Sequence, residues 1–264
     1  MHPLQSCFVS LYAQAQHAVC TFGKIVVAVG GALGADFNMV FDLSTTVPDP
    51  KAHEVSLKQA LGRVAQEDKI DFLYVTPAER KETFPSLLAD NHFQKIGQAT
   101  NVSFDHVSLR KDAKAQDAYV VKRVQDPEEF KTACAIIDEA FGLQEGDSLK
   151  VYGPAMDYVL SSETRHPLYI LYEKHTQDSV SVAMLHLPED KDQPAGHFSW
   201  GTRVPYRGKG AMSFLVQQML HVAADHGYKR SVAQCYDTSL RLAQNMGFQP
   251  EGVLDIYANS GRSK

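Results

Sequence analysis

The residues of this 264-residue chain best suited to chemistry lie between Trp200 and Gly227. There Arg207-Gly208-Lys209-Gly210 separates an extended run, Gly196 to Thr202, from Met212, Leu215, Val216, Met219, Val222 and Ala223 at helical spacing. A strand, a glycine turn and a helix in that order leave the first N–H groups of the helix unpaired and aimed at one spot, where the helix dipole adds positive partial charge. Phosphate fits such a spot. Gly208 and Gly210 let the backbone approach a bulky anion, and Arg207 and Lys209 supply cationic charge that screens a pyrophosphate. The loop lacks the Gly-x-x-x-x-Gly-Lys-Ser/Thr pattern that holds Mg²⁺ with a nucleoside triphosphate, which argues against an ATP- or GTP-binding protein. A glycine turn that merely joins a strand to a surface helix has the same local sequence, so context has to decide.

That context is Arg-x-x-Gly with an extended Trp-Gly-Thr run before it and a long amphipathic helix after it. It resembles the acyl-coenzyme A loop of the GNAT superfamily of N-acetyltransferases, written Arg/Gln-x-x-Gly-x-Gly/Ala. Arg207 and Gly210 match, and Met212 stands where a small residue is usual. The resemblance makes Thr202, Arg207, Gly208, Lys209, Gly210, Ala211 and Met212 the cofactor-binding residues, with the backbone at Thr202 along the pantetheine arm. It covers about 145 residues, from 118 to the end of the chain, and includes the Asn245-Met246-Gly247-Phe248 ending of the last helix.

Acyl transfer from a thioester to an amine needs a neutral nucleophile, a polarised carbonyl and, often, an acid for the leaving thiolate. The family usually supplies that acid as a Tyr, where this chain has Ala243, and a base as a Glu on the strand before the loop, where this chain has none. Tyr236 and Ser239 are the nearest hydroxyls, although a Tyr at a strand end is as readily structural. His197 has the unperturbed pKa of a base, but a lone His on a strand is more often a packing residue. Strict alternation places His197 and Ser199 on one face and Phe198, Trp200 and Thr202 on the other. Cys235 has no visible partner to depress its pKa and reads as buried and inert.

These residues need a scaffold. The second half reads as strand 119–124, a helix opened by Pro127 and closed by Gly142, a helix over 148–160, strands 168–172 and 180–187, the stretch already described, strand 231–236, helix 239–246 and strand 253–258. The order β-α-α-β-β-β-α-β-α-β is that of the GNAT fold. The first half reads as a helix over 4–16, a hairpin of 20–29 with 37–43, a helix over 51–66 with Val55, Leu57, Ala60, Leu61, Val64 and Ala65 on one face, strand 71–76, a helix through Leu87 and Leu88, and strand 96–104. Charged residues 106–117 read as a linker. Leu88-Ala89-Asp90-Asn91-His92-Phe93-Gln94 echoes Leu242-Ala243-Gln244-Asn245-Met246-Gly247-Phe248-Gln249 with one residue inserted, a weak internal repeat. Between Leu43 and His53 the first half offers T-T-V-P-D-P-K-A in place of glycines.

The expected fold is therefore α/β (α+β), two tandem GNAT-like domains, each a mixed, mostly antiparallel twisted sheet flanked by helices. Residues 1–111 would be a degenerate copy without a phosphate loop and 112–264 the acyl-CoA-binding domain. Length suits two domains, and 44% hydrophobic with 22% charged residues is an ordinary globular composition. A net charge of −5 argues against a general nucleic-acid binder. Cys7, Cys20, Cys134 and Cys235 are scattered without metal-ligand spacing, and the N-terminal residues lack a basic leader, so a cytoplasmic protein with reduced thiols, no membrane span and no metal is expected. The resemblance implies an N-acyltransferase, most simply an N-acetyltransferase, using acetyl-CoA or another acyl-CoA as co-substrate and an amine of a small molecule or protein as acceptor, in a monomer or homodimer. The missing Tyr and Glu favour the alternative of a non-catalytic acyl-CoA-binding or regulatory protein.

Overall fold

The structure, a computed structural model, describes residues 10–30, 37–44, 46–67, 70–80, 84–109 and 118–259. In chain order its elements are β1 (Ala18–Phe22), β2 (Ile25–Val29), β3 (Asn38–Phe41), α1 (Pro50–Ala65), β4 (Leu73–Pro77), α2 (Pro85–Asp90), β5 (Gln94–Asp105) and β6 (Tyr119–Arg123). They continue as α3 (Pro127–Phe141), α4 (Asp147–Tyr152), α5 (Met156–Leu160), β7 (Leu168–Glu173), β8 (Ser179–His186), β9 (Ala195–Thr202), α6 (Ala211–Asp225), β10 (Arg230–Cys235), α7 (Asp237–Asn245) and β11 (Gln249–Ala258). Two compact units result, Met1–Asn101 with Glu251–Lys264, and Val102–Pro250.

In the first unit the strands run β1-β2-β3-β4-β11-β5. The β1–β2, β2–β3 and β4–β11 pairs are antiparallel and β3–β4 is parallel. Leu57, Ala60, Leu61 and Val64 of α1 pack on Ile25, Val27, Val40, Phe72 and Tyr74. In the second unit the order is β10-β9-β8-β7-β6, with the end of β5 beside β10. There β9–β10 is the parallel pair and the others whose register is known are antiparallel. Each sheet is thus mixed and mostly antiparallel, with helices against it. Leu215, Met219 and Ala223 of α6 close the core on Leu171, Val180, Ala183, Leu185 and Ala195; each buried Leu or Met there contributes about 1.5–3 kcal/mol.

Several sequence expectations change. The run 20–29 is a hairpin, because Gly23 at φ 59° lets Phe22 and Ile25 pair across a two-residue turn. The helix expected over 148–160 breaks at Gly153-Pro154 into a 3-10 turn, since Pro154 has no N–H and crowds the preceding turn. Val55 is exposed on α1, and His53 is buried in its place. Helix α3 is as expected, with Asp126 capping it, Pro127 in its first turn and Gly142 at φ 67° ending it. The helix expected over 4–16 lies outside the described residues up to residue 9, and the linker does so over 110–117.

The domain boundary also moves. The units divide after Asn101 and again before Glu251, in place of a single cut between 111 and 112. The strand beside β4 is β11 from the end of the chain, and the strand beside β10 is the end of β5. Pairing between strands far apart in sequence leaves no local signal, so the sequence alone keeps the last strand of each half with its own half.

Candidate functional site

β9 and β10 pair through Ala195–Ser231, Gly196–Val232 and His197–Ala233. Their register ends there, while β9 runs on to Thr202 and β10 to Cys235. The parallel strands therefore part beyond His197 and open a notch in the sheet. Val182 pairs with Gly201 and Met184 with Phe198, so Ser199 and Trp200 together oppose the single residue Ala183. This is a β-bulge, and Ser199 takes φ 52° to make it. One extra residue flips every side chain beyond it. His197 and Trp200 consequently share a face, their rings edge to face at 6.0 Å, contrary to strict alternation.

The glycine loop follows. Gly208 at φ 74° and Gly210 at φ 81° adopt left-handed backbone, and Gly210 begins the 15-residue α6 without any side-chain cap or acidic first-turn residue. Phe214 N–H is the first to find a helical carbonyl, that of Gly210. The N–H groups of the first turn, at Ala211, Met212 and Ser213, thus start the helix with no intrahelical partner. Arg207, Gly208, Lys209 and Gly210 are exposed. Met212 turns its side chain into the apolar clusters, leaving its backbone on the loop side. Lys209 lies over the Tyr206 ring at 5.4 Å.

Arg207 differs from expectation. Its Nε–H donates to Thr202 O at 3.1 Å and its Nη2 to Ala140 O at 3.1 Å. It ties β9 to the C-terminus of α3, so its charge is spent partly on the scaffold. Residues that the sequence did not single out hold the same loop. Glu139 of α3 accepts from Arg203 Nη1 at 2.6 Å and from Val204 N–H at 2.9 Å, Arg203 Nε–H donates to Ser179 O, and Tyr206 donates to Asp178 at 2.6 Å. The N–H bond from Val204, with Arg203 beside it, holds the Glu139 carboxyl below its usual range. Only contacts across 60 residues of sequence reveal Glu139.

The candidate catalytic residues separate. His197 is 3% exposed, and burial pushes its pKa down to about 3, so it is no freely titrating base. Its Nε2 lies 2.9 Å from Ser231 Oγ. Ser239 Oγ is occupied in the cap of α7, accepting from Tyr236 N–H and donating to Tyr236 O, both at 2.9 Å. It is a structural hydroxyl. Tyr236 is 48% exposed at the N-cap of α7, directly after β10. Ala243 is buried, and burial raises the Cys235 thiol to about 11. Thr202 meets Ser181 Oγ through its hydroxyl at 2.9 Å. Among the described residues no group of His, Cys, Asp and Glu could hold a metal ion, and no helix is long and apolar enough to cross a membrane.

The matching place in the first unit, where parallel β3 and β4 end beside the start of α1, is filled from within. Asp42 accepts from both Arg80 Nη atoms at 2.7 Å, from Tyr74 OH at 2.6 Å and from His53 Nε2 at 2.9 Å, and it is fully buried. Burial alone raises its carboxyl; these hydrogen bonds and the Arg80 charge outweigh that and hold it at about 2. Asp49 caps α1, accepting from Lys51 and Ala52 N–H.

Residues 137–248 match the family model described as Acetyltransferase (GNAT) family. No curated protein sequence matches this one. Among solved structures, a GCN5-related N-acetyltransferase from Kribbella flavida is similar at 14% identity and a TM-score of 0.65, over 96% of this chain and 95% of that one. A functionally unknown conserved protein from Staphylococcus epidermidis is similar at 16% identity and a TM-score of 0.62, over 95% and 96%. A tandem GNAT protein from the clavulanic acid biosynthesis pathway is similar at 11% identity and a TM-score of 0.58, over 89% of this chain and 77% of that one. Residues 137–248 are thus similar to the GNAT family, and the chain is GNAT-like in fold.

Proposed function

We propose that the second unit binds an acyl-CoA, most simply acetyl-CoA, and transfers its acyl group to an amine of a small molecule or protein. The observation that carries this reading is the uncapped start of α6 behind two left-handed glycines, at the mouth of the notch between β9 and β10. Gly208, Lys209, Gly210, Ala211 and Met212 hold the diphosphate through backbone N–H groups and the Lys209 charge. Arg207 fixes the loop, and the backbone at Thr202 lies along the pantetheine arm. The loop is pinned before ligand arrives, so little ordering entropy opposes binding.

Holding amine and thioester together supplies most of the rate enhancement, with β9 N–H groups near the bulge polarising the carbonyl. The amine forms a bond to the acyl carbon, the C–S bond breaks, and the thiolate takes a proton. Tyr236 is the donor, a half-exposed phenol at the start of α7 directly after β10. The protein acts as a monomer or homodimer, in the cytoplasm, with no metal, nucleic acid or membrane in the reaction.

The test is release of free CoA from acetyl-CoA across a panel of primary amines. Amine-dependent release is expected, with Tyr236→Phe slowing it by about 10²-fold and leaving acetyl-CoA affinity unchanged. Binding without release for any amine would contradict acyl transfer and leave a carrier or regulator of acyl-CoA.

A further inference from the structure

Four polar groups in the second unit form a chain whose direction can be deduced. His106 Nδ1 lies 2.6 Å from Tyr228 O, His106 Nε2 2.8 Å from Ser231 Oγ, and Ser231 Oγ 2.9 Å from His197 Nε2. A carbonyl only accepts, so His106 carries its hydrogen on Nδ1, and in the neutral ring Nε2 must accept. Ser231 therefore donates to His106 and accepts from His197 Nε2–H. His197 is left with a bare Nδ1 lone pair, buried and without a partner among the described residues. It belongs to the last residue of β9 paired with β10, at the vertex of the notch. The indole Nε1–H of Trp200, on the same face, is likewise buried and unpartnered. Buried polar atoms are rarely left so without a task.

We propose that His197, Ser231 and His106 form a proton wire that carries the acceptor amine's proton out of the notch. The proposal rests on the acyl-transfer reading. As the N–C bond forms, the amine proton passes to His197 Nδ1, the Nε2 proton of His197 passes to Ser231 Oγ, and the Ser231 proton passes to His106 Nε2. The charge comes to rest on His106, which is half-buried; both hydrogen bonds of Ser231 persist with their direction reversed, and His106 Nδ1–H still donates to Tyr228 O. His197 is too deeply buried to keep the charge, which is why the wire must empty outward. Burial is the largest effect on His106 and lowers its pKa, and His221 of α6 acts the same way; the bond to Tyr228 O and the neighbouring Asp105, last residue of β5, favour its charged form. His197 receives the proton; Ser231 and His106 are positioning residues.

Charge on His106 turns its Nε2 into a donor and frees the Ser231 hydrogen for His197 Nε2, so the wire couples the His197 tautomer to that charge, which simple packing would not do. Nitrogen-15 NMR of the histidines in the full chain, followed as His106 titrates below pH 6.5, reads it. His197 should hold its hydrogen on Nε2 while His106 is neutral and on Nδ1 once His106 is charged, and Ser231→Ala should abolish the change. A His197 that keeps its Nε2 hydrogen throughout overturns the proposal. With an amine that the wild type acetylates, Ser231→Ala should lower kcat about 10²-fold at unchanged acetyl-CoA KM, with Ser231→Thr restoring most of it; undiminished kcat in Ser231→Ala would also overturn it. If the tautomer switches while no amine is acetylated, the wire stands and the acyl-transfer reading fails.

Discussion

The two units meet the same geometric problem differently. In each, two parallel strands end beside the start of a helix, β3 and β4 beside α1, and β9 and β10 beside α6. In the first unit Asp49 caps the helix and a buried carboxylate, Asp42, sits at the strand end under Arg80, Tyr74 and His53. In the second the helix start has no cap, and the charged groups nearby, Glu139 with Arg203 and Asp178 with Tyr206, hold the loop from outside and leave the N–H groups clear. The first unit carries its own anion. The second has the donors and lacks the acceptor, which is the arrangement expected of a binding site.

Removing the internal anion's partner is the severest way to break the comparison. Arg80→Ala strands a buried carboxylate, and loss of one partner of a buried pair costs about 3–5 kcal/mol. Chemical denaturation should show that loss in the first unit, with acetyl-CoA affinity retained by the second; a change below 1 kcal/mol would mean that the network contributes little. Acid should act on the same residue more gently. The folded Asp42 pKa of about 2 lies below the ordinary aspartate value of 3.8, so its stabilisation is complete above 3.8 and is lost as pH falls through about 2. About 2 kcal/mol should disappear over that window, and Asp42→Asn should flatten the pH dependence there.

The smallest effect belongs to the external brace. Glu139 is about a third exposed, and its contact with Arg203 is discounted accordingly. Glu139→Ala should weaken acetyl-CoA binding roughly tenfold, mostly by releasing Val204 N–H and Arg203 from the loop. Equal affinity in the variant would show that the loop holds its shape without α3.

Local signals made the second site readable. Glycines at 208 and 210 before a helical apolar repeat fix the turn, and Pro127 with Gly142 fixes α3, each within a few residues. The internal repeat was readable for the same reason: α2 and α7 both end in a left-handed residue, His92 at φ 65° and Gly247 at φ 97°, followed by a buried Phe. Features made by distant pairing were not readable. Ser199 adopts φ 52° because β8 pairs with Phe198 and Gly201 on either side of its bulge, and nothing in a serine's own preference announces it. The placement of β11 beside β4, the Asp42–Arg80 pair and the His106–Ser231–His197 chain join residues 34 to 185 positions apart, and the partners of Ser239 and Arg207 are backbone carbonyls and amides, which residue spacing does not show.

The most direct measurement is calorimetric titration of acetyl-CoA into the wild-type chain and into Gly210→Glu. The substitution sets a side chain on a left-handed backbone and a carboxylate where the diphosphate would lie. One acetyl-CoA should bind each wild-type chain and none the variant, with the first unit contributing no second site. Unchanged affinity in Gly210→Glu, or two sites per chain, would contradict the division of roles between an open second unit and a filled first one.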